Sequence, residues 1–262
     1  MRAIDSCVTF CQRHNIPLEI VWISDYALGA RFSDLFEPLS LPDVMLREGT
    51  WWDRFRYGVP IWRRNLKLPL LYQAIRFGHR RIDLWDAIRA TRDGTLASML
   101  LSARRPFFLP CCTQVVPSEL DYSMFHPLPF LQERIDNLAS RLSPHCVGVH
   151  VRRGNHQQAR RESPEEAFVM EMDRLLDHNE TDGFFLATDD LAVRARMKER
   201  YGARLVTQDA PVSRISVEGI CGAVVDLWVL SRCRSILGSS GSTFDITAAR
   251  MSGIPCRVVS FL

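Results

Sequence analysis

Between residues 146 and 261 short apolar runs alternate with helix-patterned stretches, and this regularity limits the fold more than any other feature. Strand-like runs fall at 146–151, 184–187, 204–207, 235–238 and 256–261, with helical patterns at 164–178, 191–201, 217–232 and 244–251. Strands that exchange with helices through short loops predict a doubly wound parallel sheet in an α/β fold. No GxxxxGK[ST] and no GxGxxG occurs, which argues against a Walker ATPase and a dinucleotide fingerprint.

The first half is less regular. Residues 2–14 predict a helix and 17–23 a buried strand. Residues 131–142 place Leu131, Ile135, Leu138 and Leu142 on one helical face. Ser143-Pro144 then breaks the pattern, so the expected domains are 1–143 and 144–262. Between 24 and 117, Trp51, Trp52, Trp62 and Trp85 mix with Arg54, Arg56, Arg63, Arg64, Arg80 and Arg81 without a sustained period. Such interleaving suits arginine stems packed on aromatics at a surface, or a groove for single-stranded nucleic acid or sugar.

Composition narrows the classes. With 47% hydrophobic and 24% charged residues the chain is neither disordered nor fibrous. A formal charge of +3 is too small to make nucleic acid a general partner. No apolar run approaches the ~20 residues of a membrane span, and the first residues lack the apolar core of a signal peptide. The eight cysteines form no CxxC pair, and Cys7/Cys11 have no second pair to complete a zinc site. Buried reduced thiols in a reducing, cytoplasmic compartment are expected, with no metal site.

In open parallel sheets, ligands bind beyond the carboxyl ends of the strands. Those ends carry Arg152-Arg153-Gly154-Asn155-His156, Thr188-Asp189-Asp190, Gln208-Asp209 and Ser239-Ser240-Gly241-Ser242-Thr243. Paired guanidiniums suit a diphosphate, because their planar forks match phosphate oxygens. The serine-rich turn opens a helix, whose first N–H groups favour an anion. Asp189 and Asp190 could accept from sugar hydroxyls or a base, although an Asp at a strand end also caps helices. Strand alternation puts His150 on the side of Arg152 and opposite Arg153. Asp226, inside an otherwise apolar helical stretch, is costly unless paired or aimed at the ligand edge.

The stretch Val147-Gly148-Val149-His150-Val151-Arg152-Arg153-Gly154 resembles the HxRR signature of the α-1,2/α-1,6/protein-O-fucosyltransferase superfamily, nearest the NodZ-like and core α-1,6 branch. Two further blocks agree in order and spacing: 184–190 (FFLATDD), and 225–233 (VDLWVLSRC) followed by 238–244 (GSSGSTF). The similarity spans roughly residues 130–255. It implies a GT-B-like fold of two Rossmann-like lobes, with the acceptor side in the first and the nucleotide-sugar site in the second. It also implies an inverting, metal-independent transfer of fucose from GDP-fucose to a glycan hydroxyl, with no cofactor.

Carried over by position, Arg152 would contact the β-phosphate and stabilise the leaving group. Arg153 would be structural or a second donor contact, and His150 would position the loop or contact the donor. Asp189 and Asp190 would face the guanine, ribose or sugar, and Asp226 would help hold the guanine or a donor loop. Ser242, Thr243 and Arg250 would complete the phosphate cradle. Glu162 is the nearest candidate base for the acceptor hydroxyl. The chain departs from the family at Asn155, where an acid is usual, and at His156. It opens at Met1-Arg2-Ala3-Ile4, inside what corresponds to the family's first helix. The first lobe is therefore expected to lack an opening strand and Gly-Leu-Gly-Asn-Arg loop. A Golgi location would require an anchor upstream of this sequence. The alternative reading is a GDP-sugar-binding module without turnover.

Overall fold

A computed structural model describes residues 1–25, 28–58, 68–103, 105–111, 114–116, 122–154 and 157–261. Trp62, Arg63, Arg64, Asn155 and His156, singled out above, lie outside the described residues. The chain forms two compact units: Met1–Asp25 with Arg31–His126, and Tyr26–Ala30 with Pro127–Leu262.

In the first unit, helix α1 (Arg2–Arg13) buries Ile4, Val8 and Cys11, a stripe at i, i+4 and i+7. Its buried polar groups have non-local partners: the Tyr122 backbone N–H donates to Asp5, and the Val115 N–H donates to Ser6 Oγ. Strands β1 (Leu18–Trp22) and β2 (Val44–Glu48) pair in parallel, with Ile20 opposite Leu46. Beside them Phe32 contacts the rings of Trp22, Phe36 and Phe125. Four short helices follow: α2 (Trp51–Tyr57), α3 (Leu68–Phe77), α4 (Leu84–Arg92) and α5 (Leu96–Leu101).

The second unit holds α6 (Pro129–Ala139), β3 (Val147–Val151), α7 (Gln157–Glu162), α8 (Glu165–Asp177), β4 (Phe184–Thr188) and α9 (Leu191–Tyr201). It continues with β5 (Leu205–Val206), α10 (Val217–Ser231), β6 (Ser235–Ser239), α11 (Phe244–Ser252) and β7 (Cys256–Val259). The strands form one parallel sheet in the order β5-β4-β3-β6-β7.

Alternation within the strands sorts the two faces. Val147, Val149 and Val151 of β3, with Phe184 and Leu186 of β4, share a core with Phe168 and Met172 of α8 and Val193 and Met197 of α9. The intervening residues meet the other helix pair: Gly148 approaches Leu230 of α10, and His150 lies against Phe244 of α11. The sheet is doubly wound, as the alternation of the sequence requires.

The expected division at 143/144 differs from the observed units, which separate at 126/127. Helix α6 is the reason. It buries Leu131 and Ile135, packs on α10, and is tied to that region by the Arg232–Asp136 (2.6 Å) and Arg134–Glu218 (3.4 Å) ion pairs. Pro129 starts this helix at the first turn, where no backbone N–H is needed. No helix among the described residues is long and apolar enough to cross a membrane.

Candidate functional site

From β3 the chain steps outward through β4 to β5, then returns to β6 beside β3 and continues to β7. The loops after β3 and β6 therefore leave in opposite directions and open a crevice at the carboxyl edge, the usual ligand position in such sheets. Among the described residues, Arg152, Glu162 and Ser163 flank one side and Ser239 and Ser240 the other.

Polar side chains lock these two loops together. Ser239 Oγ accepts from the Arg152 backbone N–H at 2.9 Å and donates to the His150 carbonyl at 2.9 Å. The Ser240 N–H donates to Ser163 Oγ at 2.9 Å, and Ser240 Oγ donates to Glu162 at 2.6 Å. Asp245, buried in the first turn of α11, accepts from the Ser239 N–H at 2.8 Å, and its Oδ2 lies 3.5 Å from His150 Nδ1. A Cβ at Gly238 would fall 2.1 Å from the Asp245 carboxylate, so only glycine permits this approach.

Arg152 points its guanidinium at Asp189, with which it forms an ion pair. The same carboxylate accepts from the backbone N–H groups of Arg153 (2.7 Å) and Gly154 (3.2 Å). Both Asp189 oxygens are thus committed to the arginine loop, and this carboxylate, expected to face a base or sugar, instead holds the loop in place. Burial lowers the Arg152 pKa, which nearby Asp189 opposes and the guanidinium of Arg214 reinforces. An arginine remains charged under such a shift. Arg214, in the loop between β5 and α10, is a second cation near the site that no sequence pattern flagged.

The other expected residues divide clearly. Arg153 is buried and donates through Nη1 to the carbonyls of Arg152 (3.0 Å) and Ser163 (2.9 Å), which makes it a loop support. Asp190 caps α9: one oxygen accepts from the Ala192 (2.9 Å) and Val193 (3.2 Å) N–H groups, so its predicted ligand role gives way to capping. Ser242 and Thr243 sit at the start of α11, where the Phe244 N–H donates to Ser242 Oγ at 3.2 Å and Thr243 is exposed at the cap position. Arg250 lies in the last turn of α11. Seven residues beyond Thr243, it is displaced by about 10 Å along the helix axis.

Glu162, at the end of α7, accepts from Ser240 and Gln158, and these bonds lower its pKa. Asp226 accepts from Gln208 Nε2, and burial pushes its carboxyl up to about 7 against the opposing effect of that hydrogen bond. Gln208 also lines a cavity of ≈ 300 Å³ at the end of β5, together with Arg134, Asn137, Arg141 and Thr207. Among the described residues, no three His, Cys, Asp or Glu side chains converge as metal ligands. Asp245 and Arg214 are the site residues that sequence reasoning missed. An acid in the first turn of a helix was a readable signal for Asp245; the irregular loop gave none for Arg214.

No family profile matches the chain, and no curated protein does. Solved structures do. NodZ α-1,6-fucosyltransferase co-crystallised with GDP is 18% identical over 98% of this chain and 89% of its own, with a TM-score of 0.60. Fucosyltransferase NodZ from Bradyrhizobium is 19% identical over 98% and 90%, with a TM-score of 0.60. POFUT1 in complex with GDP-fucose is 10% identical over 99% and 93%, also at 0.60. The chain shares the GT-B-like α/β fold of these fucosyltransferase structures.

Proposed function

We propose that the protein transfers fucose from GDP-fucose to a glycan hydroxyl, with inversion and without a metal. One observation carries the reading: Arg152 is fixed at the switch-point crevice by Ser239 and Asp189, with Arg214 nearby and the start of α11 adjoining. Fixed donors and cations of this kind act where negative charge develops. NodZ and POFUT1 structures with GDP or GDP-fucose support the same ligand class.

In the proposed reaction the acceptor oxygen attacks the anomeric carbon from the face opposite the diphosphate. The bond from that carbon to the β-phosphate oxygen breaks, and its electron pair stays on GDP. Arg152 stabilises this charge, assisted by Arg214 and by Ser242 and Thr243 at the N-terminus of α11. The cavity beside Gln208 and Asp226 suits the base. The acceptor hydroxyl proton passes to water. Glu162 is a weak proton acceptor because its hydrogen bonds favour the ionised form, and its part here is to hold the Ser240 turn.

Differential scanning fluorimetry with GDP tests binding. The intact chain should melt higher with GDP, and Arg152→Ala should abolish the shift. Incubation with GDP-fucose and a panel of glycans, read by mass, tests turnover. An absence of any GDP shift at millimolar ligand overturns the proposal. A normal shift without consumption of donor selects the non-catalytic binding module instead.

A further inference from the structure

The first unit carries an exposed apolar surface to which the proposed transfer assigns no role. On α2, Trp51 and Trp52 are 68% and 58% exposed, with ring centroids 4.6 Å apart, and Phe55 is exposed beside them. On α3, Leu71 and Ile75 are 58% and 79% exposed at i, i+4 spacing, so they share one helical face. Single exposed apolar residues are common on proteins, but a cluster of this size marks an interaction surface.

The cluster stands on a firm base. Thr50 and Asp53 form a reciprocal cap at the start of α2, and Arg47 grips Asp53 through both terminal nitrogens at 2.8 and 3.2 Å. Buried Gln73 of α3 donates to the carbonyls of Arg56 and Gly58, both at 3.1 Å, which fastens the end of α2 to α3. Tyr57 meets Tyr72 and Phe77 across the same junction. The apolar side chains are displayed by packed helices.

Charge identifies the partner. Helices α2 and α3 hold three arginines against one acid, Asp53, which Arg47 already pairs, in a chain nearly balanced at 33 basic against 30 acidic residues. Arg54, Arg56 and Arg76 are exposed on the two helices that carry the cluster. A second copy of this basic face would repel the first. Sugars and nucleic-acid bases stack on flat aromatic rings and gain little from an aliphatic stripe such as Leu71 and Ile75. A bilayer interface accepts all three chemistries: tryptophan at the headgroups, aliphatic groups at the acyl boundary and arginine on lipid phosphates.

The geometry points to α2 and α3 as a docking face for an anionic lipid surface. This inference is independent of the donor site and of the reaction proposed for it. The test is co-sedimentation of the full chain with vesicles of phosphatidylcholine alone or with about one-third phosphatidylglycerol, a charge that attracts basic protein surfaces. Binding should require the anionic lipid and weaken as salt rises. The Trp51→Ser/Trp52→Ser double variant should bind about tenfold more weakly, and Ile75→Ser should weaken binding by a smaller factor. Arg56→Gln/Arg76→Gln should weaken it and flatten the salt dependence. Melting curves of the variants should match the parent, which separates lost binding from lost folding. Failure of the parent to bind anionic vesicles overturns the inference, as does equal binding by the tryptophan and arginine variants. Concentration-dependent dimerisation that the tryptophan variant abolishes, without vesicle binding, assigns the face to a second copy and overturns it too.

Discussion

The two units reach their cores by different routes. In the second, five parallel strands and their crossover helices place buried residues at period two along the strands and on one face of α8 and of α9. Local pattern and tertiary position coincide there. In the first, the described sheet has two strands, and much of the order comes from rings that meet far apart in sequence: Phe32 with Phe125, and Tyr57 with Phe108. Helical period and strand alternation report neighbours along the chain, so they read the second unit and, in the first, reach α1 and β1 but not the helices that follow.

The contrast can be broken at Phe32, which is buried and contacts three other rings. Phe32→Ala should cost about 3–5 kcal/mol, measured by denaturant unfolding. A loss under about 1 kcal/mol would mean that the first unit does not depend on its ring cluster. The matching change in the second unit is Arg152→Ala, which leaves the sheet core untouched. Fold stability should stay near the parent value while turnover falls about 10²–10³-fold, as for loss of one charge-stabilising group. A parallel loss of melting temperature and activity would make Arg152 a structural residue.

Asp226 gives a pH-resolved version of the comparison. Its carboxyl is raised to about 7 in the fold from an ordinary value of 3.8. In the unfolded chain the proton leaves near the ordinary value, whereas the fold retains it until about 7. Between these limits the folded state binds more protons, so stability declines as pH rises through the window and levels off above it. Asp226→Asn should remove this slope, adding up to about 4 kcal/mol at pH 8 and little at pH 4. Equal gains at both pH values would show that the carboxyl is not the source. The smallest change is expected from Glu162→Gln, which retains an acceptor for Ser240. Turnover should fall only a few-fold, whereas a drop beyond about 10²-fold would restore Glu162 as the acceptor's base.

Much of this was legible in the residues. The alternation from 146 onward places β3 to β7 to within a few residues, and the sheet-edge rule brings Arg152 and the Ser239–Thr243 turn into one crevice. The sequence does not say which carboxylates are already engaged. Asp189 and Asp190 are adjacent and chemically alike, yet one holds the arginine loop and the other caps α9. Nor does it fix helix ownership: the amphipathic α6 fits either side of a boundary until α10 supplies its partner. Helix α2 leaves its tryptophans outward, so its apolar pattern misstates which of its residues are buried.

Asp189 has a consequence for how any ligand is held. An anion arriving at Arg152 would meet a guanidinium whose Nη1 already faces a carboxylate. The planar fork has five N–H donors, so the pair with Asp189 aims the fork without consuming it. The diphosphate of the proposed donor would gain by reaching the fork and the start of α11 at once. With the ligand gone, Asp189 would still hold the arginine loop through the Arg153 and Gly154 N–H groups, so the empty site keeps its shape.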